Sequence, residues 1–274
     1  MEKIEGLTIL GNSIANGGQK EVFKATYQDK LVVFKKGTCR LESSLKRIIK
    51  EVEILRGIDS EYFPKNYYFD YNSNGEFRII EELIEGITSQ EIMNKYNSEE
   101  EIMSFLIEII DGMKILWDKE IVHRDFKPDN IIISNKTNKP IIIDLGIARD
   151  LSSESLTKTI YARGPCTEIY AAPEQLRNDK NIISPRTDFF AMGIVALELY
   201  YKVNPFDPNW VGSGLSIVEN ILNNNYKVEV KQNEKSENFL KIIKKMIEHE
   251  PYNRYRKYQL IQEDMEKILK GESL

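Results

Sequence analysis

Two isoleucine triplets constrain this chain more tightly than any other feature. Ile131-Ile132-Ile133 and Ile141-Ile142-Ile143 flank the polar stretch Asn135-Lys136-Thr137-Asn138-Lys139-Pro140, and two short β-favouring runs around a polar turn read as a β-hairpin. Antiparallel pairing sets the entry of the first strand beside the exit of the second. Asn130 precedes the first run and Asp144 follows the second, so two hard oxygen ligands are expected side by side at one end of the hairpin. Such a pair suits Mg²⁺, which takes one or two carboxylates and leaves its remaining positions to water and substrate phosphates. Asp125, on the segment leading in, is available as a base.

Elsewhere the hydrophobic periodicity changes once along the chain. From Leu7 to Glu82 the punctuation is that of strands: Val22 to Tyr27 and Leu31 to Lys36 flank Gln28-Asp29-Lys30, and Tyr67 to Tyr71 and Glu76 to Ile80 flank Asn72-Ser73-Asn74-Gly75, whose Asn-Gly marks a hairpin. Between these pairs Leu45, Ile48, Ile49, Val52 and Leu55 recur at helical spacing, with Ser43 or Ser44 expected as the N-cap and Gly57 just past the end. After Gly86 helical spacing takes over. Ser98 and Glu101 form a capping box ahead of an apolar stripe from Ile102 to Trp117, and further helices are expected at Asp188 to Tyr201, Ile217 to Leu222, Glu237 to Glu248 and Tyr258 to Leu269. A β-rich first third joined to a mainly α remainder near Glu81 to Gly86 predicts two lobes with a ligand cleft between them.

Composition narrows the function classes. The chain has 274 residues, 41% apolar and 30% charged, with a formal net charge of −5; that argues for a globular protein and against a broad nucleic-acid surface. Cys39 and Cys166 stand far apart without metal-ligand spacing, so neither a disulfide framework nor a zinc site is expected, and a cytoplasmic location fits. No apolar stretch approaches the ~20 residues of a membrane span, and Met1-Glu2-Lys3-Ile4-Glu5 lacks the apolar core of a signal peptide.

His123-Arg124-Asp125-Phe126-Lys127-Pro128-Asp129-Asn130, followed by Asp144-Leu145-Gly146, resembles the catalytic and metal-binding loops of eukaryotic-type protein serine/threonine kinases. The resemblance runs from about Leu7 to Leu269. It implies an α+β, bilobal kinase-like fold as a single domain over 1–274: a small β-rich N-lobe with one helix to about residue 84, a hinge near 81–86, and a larger, mainly α C-lobe from about 87. It also implies ATP as phosphoryl donor, Mg²⁺ with Mn²⁺ as an alternative ion, and a protein Ser/Thr hydroxyl as acceptor. Asp125 would then accept the hydroxyl proton, Lys127 would neutralise charge on the transferring group, and Asn130 and Asp144 would hold the metal.

Further pieces follow in the family's order. Ala15-Asn16-Gly17-Gly18-Gln19-Lys20-Glu21-Val22 lies where the family has its glycine-rich phosphate loop, with Ala15 and Lys20 in place of the first and third glycines. Backbone amides approach phosphate only where no side chain intervenes, so this loop is expected to be stiffer, with weaker phosphate contact. Val32-Val33-Phe34-Lys35 resembles the strand carrying the phosphate-binding lysine. Strand alternation admits only Lys35 or Lys36 to the cleft, and the spacing after Val22 favours Lys35. Glu51 stands where the family places that lysine's partner glutamate; Glu53 projects about 200° away on the helix. With Ala15, Asn16, Gly17, Gly18, Val22 and Val33, the nucleotide-side set takes in Lys35, Glu51 and, at the connection, Glu82.

His123 is read as structural and His249 as a surface residue. Thr167 to Glu174 resembles the segment closing the activation loop, with Thr167 contacting Asp125 and Lys127. Glu174 is expected to pair with Arg254, and Asp188 to brace the catalytic loop. Arg124 raises the expectation of a phosphate on Ser152, Ser153, Ser155, Thr157, Thr159 or Tyr161, since a phosphate opposite arginine gains charge-assisted hydrogen bonds. Two other readings stay open: a pseudokinase scaffold, suggested by the altered glycine loop, and a small-molecule phosphotransferase sharing the Asp-to-Asn spacing.

Overall fold

The computed structural model describes residues 1–17, 20–145, 149–150, 167–230 and 234–272. Gly18, Cys166 and the hydroxyl residues between 152 and 161 lie outside these, so the expected phosphorylation sites do too. Strands β1 (Leu7–Gly17), β2 (Lys20–Tyr27), β3 (Lys30–Thr38), β4 (Asn66–Tyr71) and β5 (Glu76–Glu82) form one antiparallel sheet in the order β1-β2-β3-β5-β4, and helix α1 (Glu42–Arg56) lies in the connection from β3 to β4. The β2–β3 turn runs through Gln28 at φ 49° and Asp29 at φ 63°, paired left-handed residues whose twist suits a tight hairpin.

α1 does not start where a serine cap would put it. Leu41 is the N-cap, without a side-chain hydrogen bond, and Ser44 is buried. The Cys39 N–H donates to the Gly75 carbonyl at 2.8 Å, so the entry to the helix is tethered to the β4–β5 turn. A tertiary contact outweighed the local capping preference.

The connection between the two halves is also shorter than expected. Glu81 and Glu82 belong to β5, because the ladder continues through Val33↔Glu81 and Val32↔Glu82, and the Glu82 N–H donates to the Lys65 carbonyl. Only residues 83–85 intervene before β6 (Gly86–Ile87).

The second half holds α2 (Ser89–Lys95), α3 (Glu99–Trp117), β7 (Ile121–Val122), β8 (Ile131–Ser134), β9 (Pro140–Ile142), β10 (Arg149–Asp150), α4 (Pro173–Leu176), α5 (Pro185–Tyr201), α6 (Pro208–Val211), α7 (Ile217–Leu222), α8 (Glu234–Met246) and α9 (Tyr258–Leu269). α3 carries the expected capping box: Ser98 Oγ accepts from the Glu101 N–H, and Glu101 Oε2 accepts from the Ser98 N–H. Its stripe Ile102, Leu106, Ile109, Ile110 and Met113 is fully buried in one cluster with α5, α8 and α9. Ile54 and Leu55 at the end of α1 join that same cluster, which ties the helix next to the sheet to the helical half.

Candidate active site

Asp125, Lys127 and Asn130 stand on the segment between β7 and β8, and Asp188 in the first turn of α5 fixes its backbone. One Asp188 oxygen accepts from the Arg124 N–H at 2.8 Å, and the other accepts from the His123 N–H and from Trp117 Nε1, both at 2.9 Å. Arg124 adopts φ 71°, a conformation that non-glycine residues rarely take, and Gln175 Nε2 donates to its carbonyl at 2.7 Å. His123 is buried, and its Nδ1 accepts from the Asp125 N–H at 3.2 Å. That is a structural position, as the sequence suggested.

The Asp125 carboxylate is held at both oxygens. Oδ1 accepts from the Thr167 N–H at 2.8 Å, while Oδ2 lies 3.2 Å from Lys127 Nζ and 3.4 Å from Asn130 Nδ2. Lys127 Nζ also donates to Thr167 Oγ1 at 2.5 Å. Asn130 Nδ2 donates to the Asp125 carbonyl at 2.8 Å, which leaves the amide oxygen as its ligand atom for a cation. The hairpin pairs Ile131 with Ile142, and the Ile143 N–H donates to the Asn130 carbonyl at 3.0 Å. Asp144 therefore follows immediately beside Asn130.

Across the cleft, β3 alternation separates the two lysines. Lys36 turns outward to Glu21 at 3.3 Å and over the Phe23 ring, whereas Lys35 is buried, with Val22 directly opposite it on β2. α1 likewise buries Glu51 and exposes Glu53. The partner expected for Lys35 is nonetheless not the one it has. Lys35 Nζ lies 2.6 Å from Glu81 Oε2 on β5, and the reason is register: Lys35 faces Ile79 and Val33 faces Glu81, so Glu81 is Lys35's diagonal neighbour on the same sheet face. Such diagonals lie within reach of long side chains.

Burial by itself would lower the Lys35 pKa; the charges of Glu81, Glu51 and Asp144 and the Glu81 hydrogen bond outweigh it and raise it above the ordinary lysine value. Glu51 is pushed up to about 7, chiefly by burial and partly by Asp144 and Glu81, against the pull of Lys20 and Lys35.

Lys20, at the third glycine position, makes a contact the sequence did not reveal. It opens β2 opposite Gly17, and its Nζ reaches Asp144 Oδ2 at 3.4 Å. The Glu82 carboxylate accepts from the Lys65 N–H at 3.2 Å, so its side chain is engaged on the β4 side. Glu81 was missed although a carboxylate interrupting the apolar run Ile79-Ile80 was visible; what it faced could not be read without the β3–β5 register.

The donor set fits a hard divalent cation. Among the described residues there is no group of three or more His, Cys, Asp or Glu able to hold a metal, so an ion here would rest on Asn130 and Asp144 and draw its other ligands from water and phosphate, as Mg²⁺ does. The Lys20 ammonium beside Asp144 shows a positive charge accommodated at that carboxylate.

Comparison with known proteins agrees with this geometry. The protein kinase domain family matches residues 9–265. Serine/threonine-protein kinase D of Synechocystis is 27% identical over 271 residues, covering 89% of this chain and 48% of that protein. A probable serine/threonine-protein kinase of Dictyostelium discoideum is 30% identical over 57% of the chain and 25% of its own length, and the probable serine/threonine-protein kinase PknB of Lactococcus lactis is 32% identical over 48% and 21%. The chain thus spans a half or less of the curated relatives it matches. With a five-stranded sheet over a helical half, and Asp125, Lys127, Asn130 and Asp144 gathered between them, the chain belongs to the protein kinase family and has its bilobal fold.

Proposed function

We propose that residues 1–274 form one kinase domain that transfers the γ-phosphoryl group of ATP to serine or threonine hydroxyls of protein substrates. The observation that carries this reading is the Asp125–Lys127–Thr167 network, in which a carboxylate and a cation on the segment between β7 and β8 are held together by a threonine from the segment ahead of α4. Asp125 orients the acceptor hydroxyl and takes its proton. Lys127 balances the charge that develops on the transferring oxygens. Lys35 meets the phosphates from the sheet side, and the apolar Val22 and Val33 lie on its face of the sheet. A divalent ion on Asn130 and Asp144 would supply charge neutralisation of the phosphates. Phosphoryl transfer needs positioning and electrostatics more than covalent chemistry, and these residues supply both.

Lys20 against Asp144 gives some support to a scaffold reading, since a cation already sits on the metal ligand. Among the described residues no helix is long and apolar enough to cross a membrane, and the cytoplasm is the location proposed. The test is incubation of the purified chain with Mg²⁺, labelled ATP and a basic protein, alongside Asp125→Asn and Asp144→Ala. Label on serine and threonine that disappears in both variants supports the kinase; no nucleotide binding supports the scaffold; turnover only with a small hydroxyl metabolite supports a small-molecule phosphotransferase.

A further inference from the structure

Lys35 and Glu81 form a salt bridge inside the N-terminal sheet, with side chains only 10% and 4% exposed. Both residues belong to β strands of one ladder, so their separation is set by hydrogen-bonded backbone on each side. Glu51 is different in kind. It comes from α1, outside the sheet, and among the described residues it makes no ion pair within the 2.6 to 3.8 Å range spanned by others such as Lys35 with Glu81 and Lys267 with Asp264. Both Lys20 and Lys35 lie near enough for their charges to act on it. The direct ion pairs are Lys35 with Glu81 and Lys20 with Asp144, while Glu51 acts on Lys35 through its charge from outside the sheet.

We propose that Glu81 is the positioning residue for Lys35, holding its ammonium toward the nucleotide phosphates from within the sheet. The proposal rests on the kinase reading above. In protein kinases the strand lysine pairs with the glutamate of the adjacent helix, and the position of that helix then gates activity. Here the lysine's carboxylate sits on the neighbouring strand. A displacement of α1 leaves the Lys35–Glu81 pair intact, so Lys35 stays aligned whether α1 is docked or not. The same pair places a buried charge near the end of β5, one residue before its last position Glu82. Burial favours a neutral lysine, and the adjacent carboxylates overcome it, so the ammonium is retained for phosphate.

The test compares Glu81→Gln, Glu81→Asp and Glu51→Gln in two independent measurements. The first is steady-state kinetics with ATP and a basic protein. Loss of a hydrogen bond to a charged group is worth roughly tenfold or more, and Glu81→Gln is expected to lose at least that in kcat/KM for ATP. Glu81→Asp, which keeps the charge one methylene short, is expected to lose less, and Glu51→Gln less than Glu81→Gln. The second needs no turnover: acetylation of Lys35 by an amine-reactive ester in nucleotide-free protein, followed by peptide mass spectrometry. Removing Glu81 frees the amine, so Lys35 labelling should rise several-fold in Glu81→Gln and rise less in Glu51→Gln. Equal or greater effects of Glu51→Gln in both measurements would overturn the proposal, as would unchanged labelling in Glu81→Gln. If Glu81→Gln does not fold, Glu81→Asp gives the same ordering against Glu51→Gln. A wild-type chain that phosphorylates nothing would sink the kinase reading and leave the labelling comparison standing.

Discussion

Asp125 is restrained by more partners than a solvated carboxylate would have: the Thr167 N–H, Lys127 and the Asn130 amide all converge on it. Asp125→Asn keeps the shape and removes the base, so kcat should fall about a hundredfold or more, the scale of general base catalysis, with an unchanged melting temperature in calorimetry. Glu51 offers a prediction of opposite character, on stability. Its pKa rises from 4.5 to about 7 in the fold. Between those values the unfolded chain releases this proton and the folded chain keeps it, so the fold loses stability as pH rises through that window, and the full penalty is present above about 7. Glu51→Gln removes the charge, and its melting temperature relative to wild type should climb between about pH 5 and pH 8. An offset independent of pH would contradict this origin.

At the level of elements, the hairpin β8–β9 is where local pattern and structure agree most closely. The isoleucine runs pair Ile131 with Ile142 and Ile132 with Ile141, and the polar residues at their ends meet because antiparallel strands leave no other choice. β6 packs beside this hairpin through Gly86. A Cβ built there would lie 2.1 Å from the Ile133 carbonyl oxygen and 2.6 Å from Ile132 Cγ2, so Gly86→Ala must push the β6–β8 pair apart. Overpacking of this kind costs about 1–3 kcal/mol, to be read as a lower urea midpoint. α2 and the start of α1 were less legible. α2 spans only seven residues, with a Thr88–Glu91 capping box and, among its described side chains, one fully buried, Ile92, too short for periodicity to register. α1 begins where a tether to Gly75 puts it, and no serine signal encodes that tether.

Across the whole molecule, Glu174 with Arg254 is a fully buried ion pair within the helical half. Two parallel bonds of 2.8 and 2.9 Å join fully buried side chains 80 positions apart, and Thr187 Oγ1 donates to the same carboxylate. Glu174→Leu leaves the guanidinium uncompensated and should cost about 3–5 kcal/mol in denaturant unfolding, while adding Arg254→Met should recover part of that loss, since a buried pair is costly chiefly when broken on one side. The order of strands then helices and the juxtaposition of Asn130 and Asp144 at one hairpin end were readable from residue type and spacing, because periodicity and hairpin pairing are properties of neighbouring residues, and the Glu174–Arg254 tie was readable through the resemblance to protein kinases. The choice of Lys35 over Lys36 and of Glu51 over Glu53 was readable for the same reason: alternation and helical pitch decide which face a side chain takes. What each buried charge met was not. Lys35 found Glu81, and Lys20 found Asp144, 124 positions away. Both pairings depend on the register between strands and on how the sheet sits over the helical half, and those are settled only when the chain has folded and charges distant in sequence are brought out of water together.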